Sequence, residues 1–278
     1  MSKQNSILFF GFSITLFISL SIHIVMLQVI GVGFPDHGPV PTIPKLLNTW
    51  FSVLALFTFY YLAKERLSKK SVAIQILIVF AVYSMIKESL IRANVMEGVV
   101  TTGWLFPFIK SAPGLLNYLI LALIVVVTNR FLHKKWQLMI ASIFATAFIK
   151  SVLEPLMGSV FSPIITSYSY LGHEAIYQMP YGWQVMIPAY LTFAEPVFAA
   201  FLILYFVWEK IAIKNFHRII LTGILISLMK GTLLPLFIYT PFMKSNLTSA
   251  IASEGQFTLE FLALGMLAAF FWGWYRKA

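Results

Sequence analysis

The sequence predicts an all-α polytopic membrane protein, and three observations carry that prediction. Of 278 residues, 59% are hydrophobic and 11% are charged, about half the charge a soluble surface carries. The apolar residues fall in long continuous runs rather than in alternation, which excludes barrel strands. Short clusters of Lys and Arg separate the runs. Disorder is excluded by 26 Phe and 12 Tyr. The absence of cysteine excludes disulfides, thiol catalysis and thiolate-bound metals.

A helix needs about 20 apolar residues to cross a hydrocarbon core of roughly 30 Å. Eight segments meet or approach that length: 7–30, 47–63, 72–93, 115–132, 136–157, 186–207, 216–238 and 256–274. The first is longer than a signal-peptide core and lacks a small-x-small cleavage site, so it reads as a retained span. The second is followed by Lys64. The third carries Lys87 and Glu88, the fifth Lys150, Glu154 and Pro155, the sixth Glu195 and Pro196. The seventh carries Lys230 and Pro235, and the eighth Glu260.

Lys and Arg set the orientation. Thirteen of the 20 fall on one side, at Lys3, 64–70, 130–135, 210–218 and 276–277; four fall on the other, Lys45, Arg92, Lys110 and Lys244. Both termini are therefore expected in the cytoplasm, with the chain integral to a bacterial inner or plasma membrane. The net charge of +10 is topogenic. Spread over short loops, it forms no basic patch for nucleic acid. The cytoplasmic connections are short, whereas the external ones read as loops of about 16 to 30 residues. These are too small for a soluble domain. The longest, 158–186, is rich in Tyr and Trp and suits headgroup-level packing or a lid.

An internal repeat is expected. Ser84-x-x-Lys87-x-x-Leu90, Ala147-x-x-Lys150-x-x-Leu153 and Ser227-x-x-Lys230-x-x-Leu233 share one pattern, and Pro155-Leu156 and Pro235-Leu236 extend it twice. The first span fits poorly and offers His23 instead. The returning helices pair a polar residue near the outer end with a basic cluster 15 to 18 residues later, as in Asn48 with Lys64 and Glu260 with Arg276. The chain then reads as one membrane domain of four parallel hairpins, 7–63, 72–132, 136–207 and 216–274.

At about 1.5 Å per residue, Lys87, Lys150, Lys230 and His23 fall in the outer third of the bilayer, and Glu154, Glu195 and Glu260 share that layer. A lysine at a span's centre costs roughly 2.5–3.5 kcal/mol, so lysines held there read as facing a polar cavity. Pro155, Pro196 and Pro235 remove backbone hydrogen bonds beside these charges and supply kinks or gating segments. The expected function is a small-solute or lipid-headgroup carrier. It binds an anionic or zwitterionic solute or headgroup through Lys87, Lys150, Lys230, Glu154, Glu195, Glu260 and His23, and Glu195 and Glu260 pair with the lysines or carry protons. Acids balance the cations, so a purely anionic ligand is only weakly indicated.

The alternatives are a non-catalytic membrane subunit, whose charges serve assembly with a membrane protein partner, and a lipid-modifying enzyme using His173 and Glu174 of the longest loop. Beyond the surrounding lipid bilayer, no cofactor and no metal is expected. The five histidines are scattered. Asp36 is the sole aspartate, so a two-aspartate protease is excluded. No phosphate-binding glycine loop or serine nucleophile elbow occurs. A retinal-type Schiff base on Lys230 is disfavoured by its two equivalents and by the lack of an intramembrane Asp. A carrier, rather than an enzyme, is the expected class.

Overall fold

The computed structural model describes residues 3–101, 103–132, 134–172, 179–211 and 214–278. Helices account for nearly all regular structure among them, and the only bridges are the isolated pairs His37–Met243 and Thr101–Gly172. The helices are α1 (Lys3–Gln28), α2 (Thr42–Leu67), α3 (Val72–Ile86), α4 (Arg92–Val100), α5 (Leu105–Asn129) and α6 (Lys135–Phe148). A π segment (Ile149–Leu153) joins α6 to α7 (Glu154–Ser167). There follow α8 (Trp183–Thr192), α9 (Ala194–Ile211), α10 (Asn215–Lys230), α11 (Pro235–Ile238) and α12 (Leu247–Tyr275).

Among the described residues, six stretches are long and apolar enough to cross a membrane: Lys3–Gln28, Thr42–Leu67, Leu105–Asn129, Lys135–Ser167, Trp183–Ile211 and Leu247–Tyr275. The chain is therefore a multi-pass membrane protein. Large apolar side chains such as Phe9, Phe17 and Phe144 stand exposed along these helices, as a lipid-facing surface requires. The third and seventh apolar segments are interrupted. α3 stops at Ile86, and Glu88 adopts φ +57°, a left-handed conformation that an ordinary helix excludes. α10 stops at Lys230, where Gly231 takes φ +86°. A left-handed residue costs any side chain roughly 1–2 kcal/mol, so Gly231→Ala is expected to lower stability by about that amount. Thermal unfolding in detergent measures it.

Several stretches read as external loop are helical. α4 and the first turns of α5 occupy 92–114, α7 runs on to Ser167, and α12 begins at Leu247, nine residues before its expected start. Asn246 caps α12 by accepting from the Ser249 N–H at 2.9 Å. The proline-bearing starts of α5 and α11 are compatible with helix because first-turn N–H groups have no intrahelical acceptor.

The chain divides into two compact units. One comprises Met1–Ala63 and Ala200–Ala278, the other Lys64–Ala199. In the first, α12 packs along α1 and α10, burying Leu20, Met229, Phe261, Leu264 and Ala268. Gly223 and Gly265 bring the backbones of α10 and α12 into contact, the small-residue approach that substitutes for hydrophobic driving force in lipid. In the second, α5 packs on α3, α4 and α7, and α4 on α8. Its core includes Val79, Val82, Leu121, Val125 and Phe193.

Candidate functional site: a helix break and its polar cleft

In the second unit the break after α3 organises a buried polar network. Ending a helix and starting another leaves N–H groups without acceptors. Glu195, on α9 and 4% exposed, fills that need at the start of α4. Its carboxylate accepts from the backbone N–H of Leu90 (2.9 Å), Ile91 (2.8 Å) and Arg92. A negative group there also meets the positive end of the α4 dipole. The Arg92 side chain pairs with Glu88 at 2.8 Å, donates to the Ala189 carbonyl and to Thr192 Oγ1 (3.1 Å), and lies 5.4 Å from the Phe193 ring centre.

The network continues outward from Glu195. Leu90, whose N–H meets Glu195, offers its carbonyl to Asn94 Nδ2 at 3.0 Å. Asn94 is buried, and its Oδ1 accepts from Ser111 Oγ at 2.9 Å. Ser111 lines a half-open cleft of ≈ 250 Å³ shared with Ser89, Ala93, Glu97, Pro107, Lys110 and Gly114. Lys110 and Glu97 form an ion pair at 2.8 Å across its wall. A chain of hydrogen bonds thus connects a buried carboxylate to an accessible cleft holding one cation, one anion and two hydroxyls.

The first unit also contains a break lined by polar groups. The carbonyls left over around the end of α10 are taken up by side chains: Met229 by Ser52 (2.6 Å), Gly231 by Asn48 (3.1 Å) and Thr232 by Thr258 (2.7 Å). Lys230 Nζ sits 4.7 Å from the Phe261 ring centre, a cation–π contact. Nearby in sequence on α12, Glu254 is buried and bonded to His37, whose ring meets Tyr239 edge-on. Burial pushes the Tyr239 phenol above its usual range, a hydrogen bond with Asn48 pulls it back in part, and the Glu254 carboxylate raises it again. Tyr239 therefore keeps its proton at neutral pH.

Comparison with family models, with curated proteins and with solved structures finds no match.

The side chains singled out from the sequence divide between the units. Lys87, Lys150, Glu154 and Glu195 belong to one, and Lys230, Glu260 and His23 to the other. All three lysines stand at irregular backbone. Lys87 is the C-cap of α3, Lys150 lies in the π segment, and Lys230 ends α10. Lys87 Nζ is 5.3 Å from the Tyr83 ring centre. Lys150 pairs within its own helix with Glu154 at 2.7 Å, and both remain partly exposed. Glu260 is buried, and His23 stacks on Phe257 with ring centres 4.7 Å apart. Pro155 follows the π segment and Pro235 starts α11. Pro196 follows the α8–α9 junction at Phe193, three residues on. His173 and Glu174 lie outside the described residues.

Sequence reading missed Asn94, Glu97 and Ser111, and it took Arg92 and Lys110 for loop charges. It also missed His37 and Glu254. The signal for Glu254 was Asn246 as a helix cap ahead of an apolar run. The cleft had no comparable signal, because α4 has nine residues and too little apolar periodicity to stand out.

Chemically, the cleft presents complementary charges at one place. Glu97 offers an acceptor for a cationic group there and Lys110 a donor for an anionic one. The volume suits a solute smaller than drug-sized ligands, whose pockets start at about 300 Å³.

Proposed function

We propose that this protein is a carrier for a small zwitterionic solute or lipid headgroup, with Glu195 as its coupling group. The observation that carries the reading is the continuous hydrogen-bond path from Glu195 through Leu90 and Asn94 to Ser111 in the cleft. Interrupted helices at membrane depth are where transporters place their binding sites, because freed backbone groups and helix ends meet the ligand there. In this reading the chain forms a single membrane domain of eight spans, with the broken third and seventh segments counted as two of them. The four hairpins are parallel repeats, and both termini are cytoplasmic. Lys110 and Glu97 hold the solute. Lys87, Lys150 and Glu154 line its route, while Lys230, Glu260 and His23 form the counterpart in the other repeats. Protonation of Glu195 weakens its hold on the start of α4 and loosens the wall of the cleft. The alternative, an assembly subunit, draws on the local Lys150–Glu154 pair, which closes within one helix and asks nothing of a ligand.

The test is uptake into proteoliposomes under an imposed proton gradient, with labelled serine and glycerophosphocholine as zwitterionic probes. Losing one charge-assisted bond costs about 1.5–3 kcal/mol, so Glu97→Gln and Lys110→Met are each expected to slow uptake roughly tenfold or more. Glu195→Gln is expected to leave exchange intact but remove its dependence on the gradient. Full uptake by both cleft variants, or no uptake by the parent protein, sinks the carrier reading in favour of the subunit.

A further inference from the structure

The first unit contains a second cavity that the carrier reading does not use. It is a groove of ≈ 330 Å³ between α2 and α10, walled by Leu54, Thr58 and Leu62 on one side and Leu221, Leu225 and Leu228 on the other, with Ile211 at one end. Thr58 supplies the one polar atom among these side chains, and its hydroxyl is turned back onto the Leu54 carbonyl at 2.8 Å. Among these side chains the groove therefore offers its occupant no free hydrogen-bond donor. Phe51, at the far end of the lining from Leu62, lies 11 residues away, about 16 Å along the helix. The cavity has the length and chemistry of an acyl-chain slot on a membrane-spanning helix.

Its two ends differ. One lies near the Ser52–Met229 hydrogen bond. The other, at Leu62, Ile211 and Leu221, is next to the basic stretch with Lys210, Lys214 and Arg218. Arg218 is three residues before Leu221 and so continues the groove's stripe on α10. Its guanidinium is held 4.9 Å from the Trp208 ring centre. Glu209 is the one acidic side chain of residues 200–218, and it is engaged by Arg276 at 2.5 Å. This end thus carries a net positive charge at the level where an apolar slot stops.

We infer that the α2–α10 groove is a binding site for one acyl chain of an anionic phospholipid, with the phosphate held by Arg218 and Lys214. In a bilayer or micelle the acyl chain is already out of water, so its fit in the groove does not discriminate headgroups. Discrimination comes from the basic end, at roughly fivefold in affinity per Lys or Arg. The inference is independent of the carrier reading.

The experiment compares phosphatidylglycerol with phosphatidylcholine of the same acyl chains, added to the purified full-length protein in a neutral detergent. Bound lipid is counted by native mass spectrometry, and affinity is taken from the thermal shift. Phosphatidylglycerol is expected to bind at about one tightly held copy and to raise the unfolding temperature. Arg218→Gln is expected to weaken it roughly fivefold. Leu225→Trp fills the groove and is expected to abolish the tight copy. Phe216→Ala, at an exposed site on the same helix, leaves it unchanged. Should Leu225→Trp fail to fold, Thr58→Met narrows the groove from the other wall. Equal binding of phosphatidylcholine, or full phosphatidylglycerol affinity in both Arg218→Gln and the groove-filled variant, overturns the inference.

Discussion

Glu195→Ala is expected to destabilise the protein by about 2–4 kcal/mol, because hydrogen bonds to a charged group contribute about 1.5–3 kcal/mol each and three N–H groups lose theirs together. The sum is less than three full bonds, since Ile91 is itself exposed and its N–H can recover some solvation. Replacement by Gln keeps one carbonyl oxygen in place and is expected to recover about half of the loss. Replacement by Asp shortens the reach by one methylene and recovers less. The order Glu, Gln, Asp, Ala in unfolding temperature identifies a capping role. A flat series shows that α4 starts without Glu195, and the proposed coupling falls with it. Arg92→Met separates the cap from the side-chain network: it removes the bonds to Glu88, the Ala189 carbonyl and Thr192 but leaves the three backbone donors on Glu195.

These outcomes also show which parts of the structure could be read from sequence. Long apolar runs and basic hairpins specify membrane helices because 20 apolar residues in succession have no other stable place. Lys87, Lys150 and Lys230 each stand where a helix is capped, widened or ended. What stopped α3 was not readable. Glu88 at φ +57° is a tertiary decision, stabilised by the Arg92 pair and by Glu195 accepting from the restart. No Gly or Pro within 86–92 signals the break. α10 differs, for Gly231 and Pro235 mark its end in the sequence. The helical character of the 92–114 and 247–255 stretches was hidden by their polar and small residues. The cleft was hidden for a further reason: Glu97 and Lys110 are 13 residues apart and meet only because α4 turns back against α5.

The second large effect concerns the contact of α10 with α12. Gly265→Leu is expected to prevent the first unit from packing, and even Gly265→Ala to cost about 1–3 kcal/mol. A Cβ on Gly265 would lie 2.7 Å from the Gly223 Cα, 2.9 Å from the Thr222 carbonyl oxygen and 3.0 Å from the Gly223 nitrogen. These are backbone atoms, so no rotamer change relieves the clash, and the two helices must separate. Separation thins the dispersion contacts that hold helices together in lipid, where burial of apolar surface gives little. It also strains the hydrogen bond from Thr258 to the Thr232 carbonyl, which ties the same two helices beyond the end of α10. Gly255, ten residues earlier on α12, provides the internal control. A Cβ there meets nothing within 4 Å, and Ala is preferred to Gly in a helix by about 0.8–1 kcal/mol. Gly255→Ala should therefore raise the unfolding temperature while Gly265→Ala lowers it, one substitution on one helix with opposite signs. If both move in the same direction, helix propensity rather than close approach decides, and the α10–α12 backbone contact is not what holds this unit together.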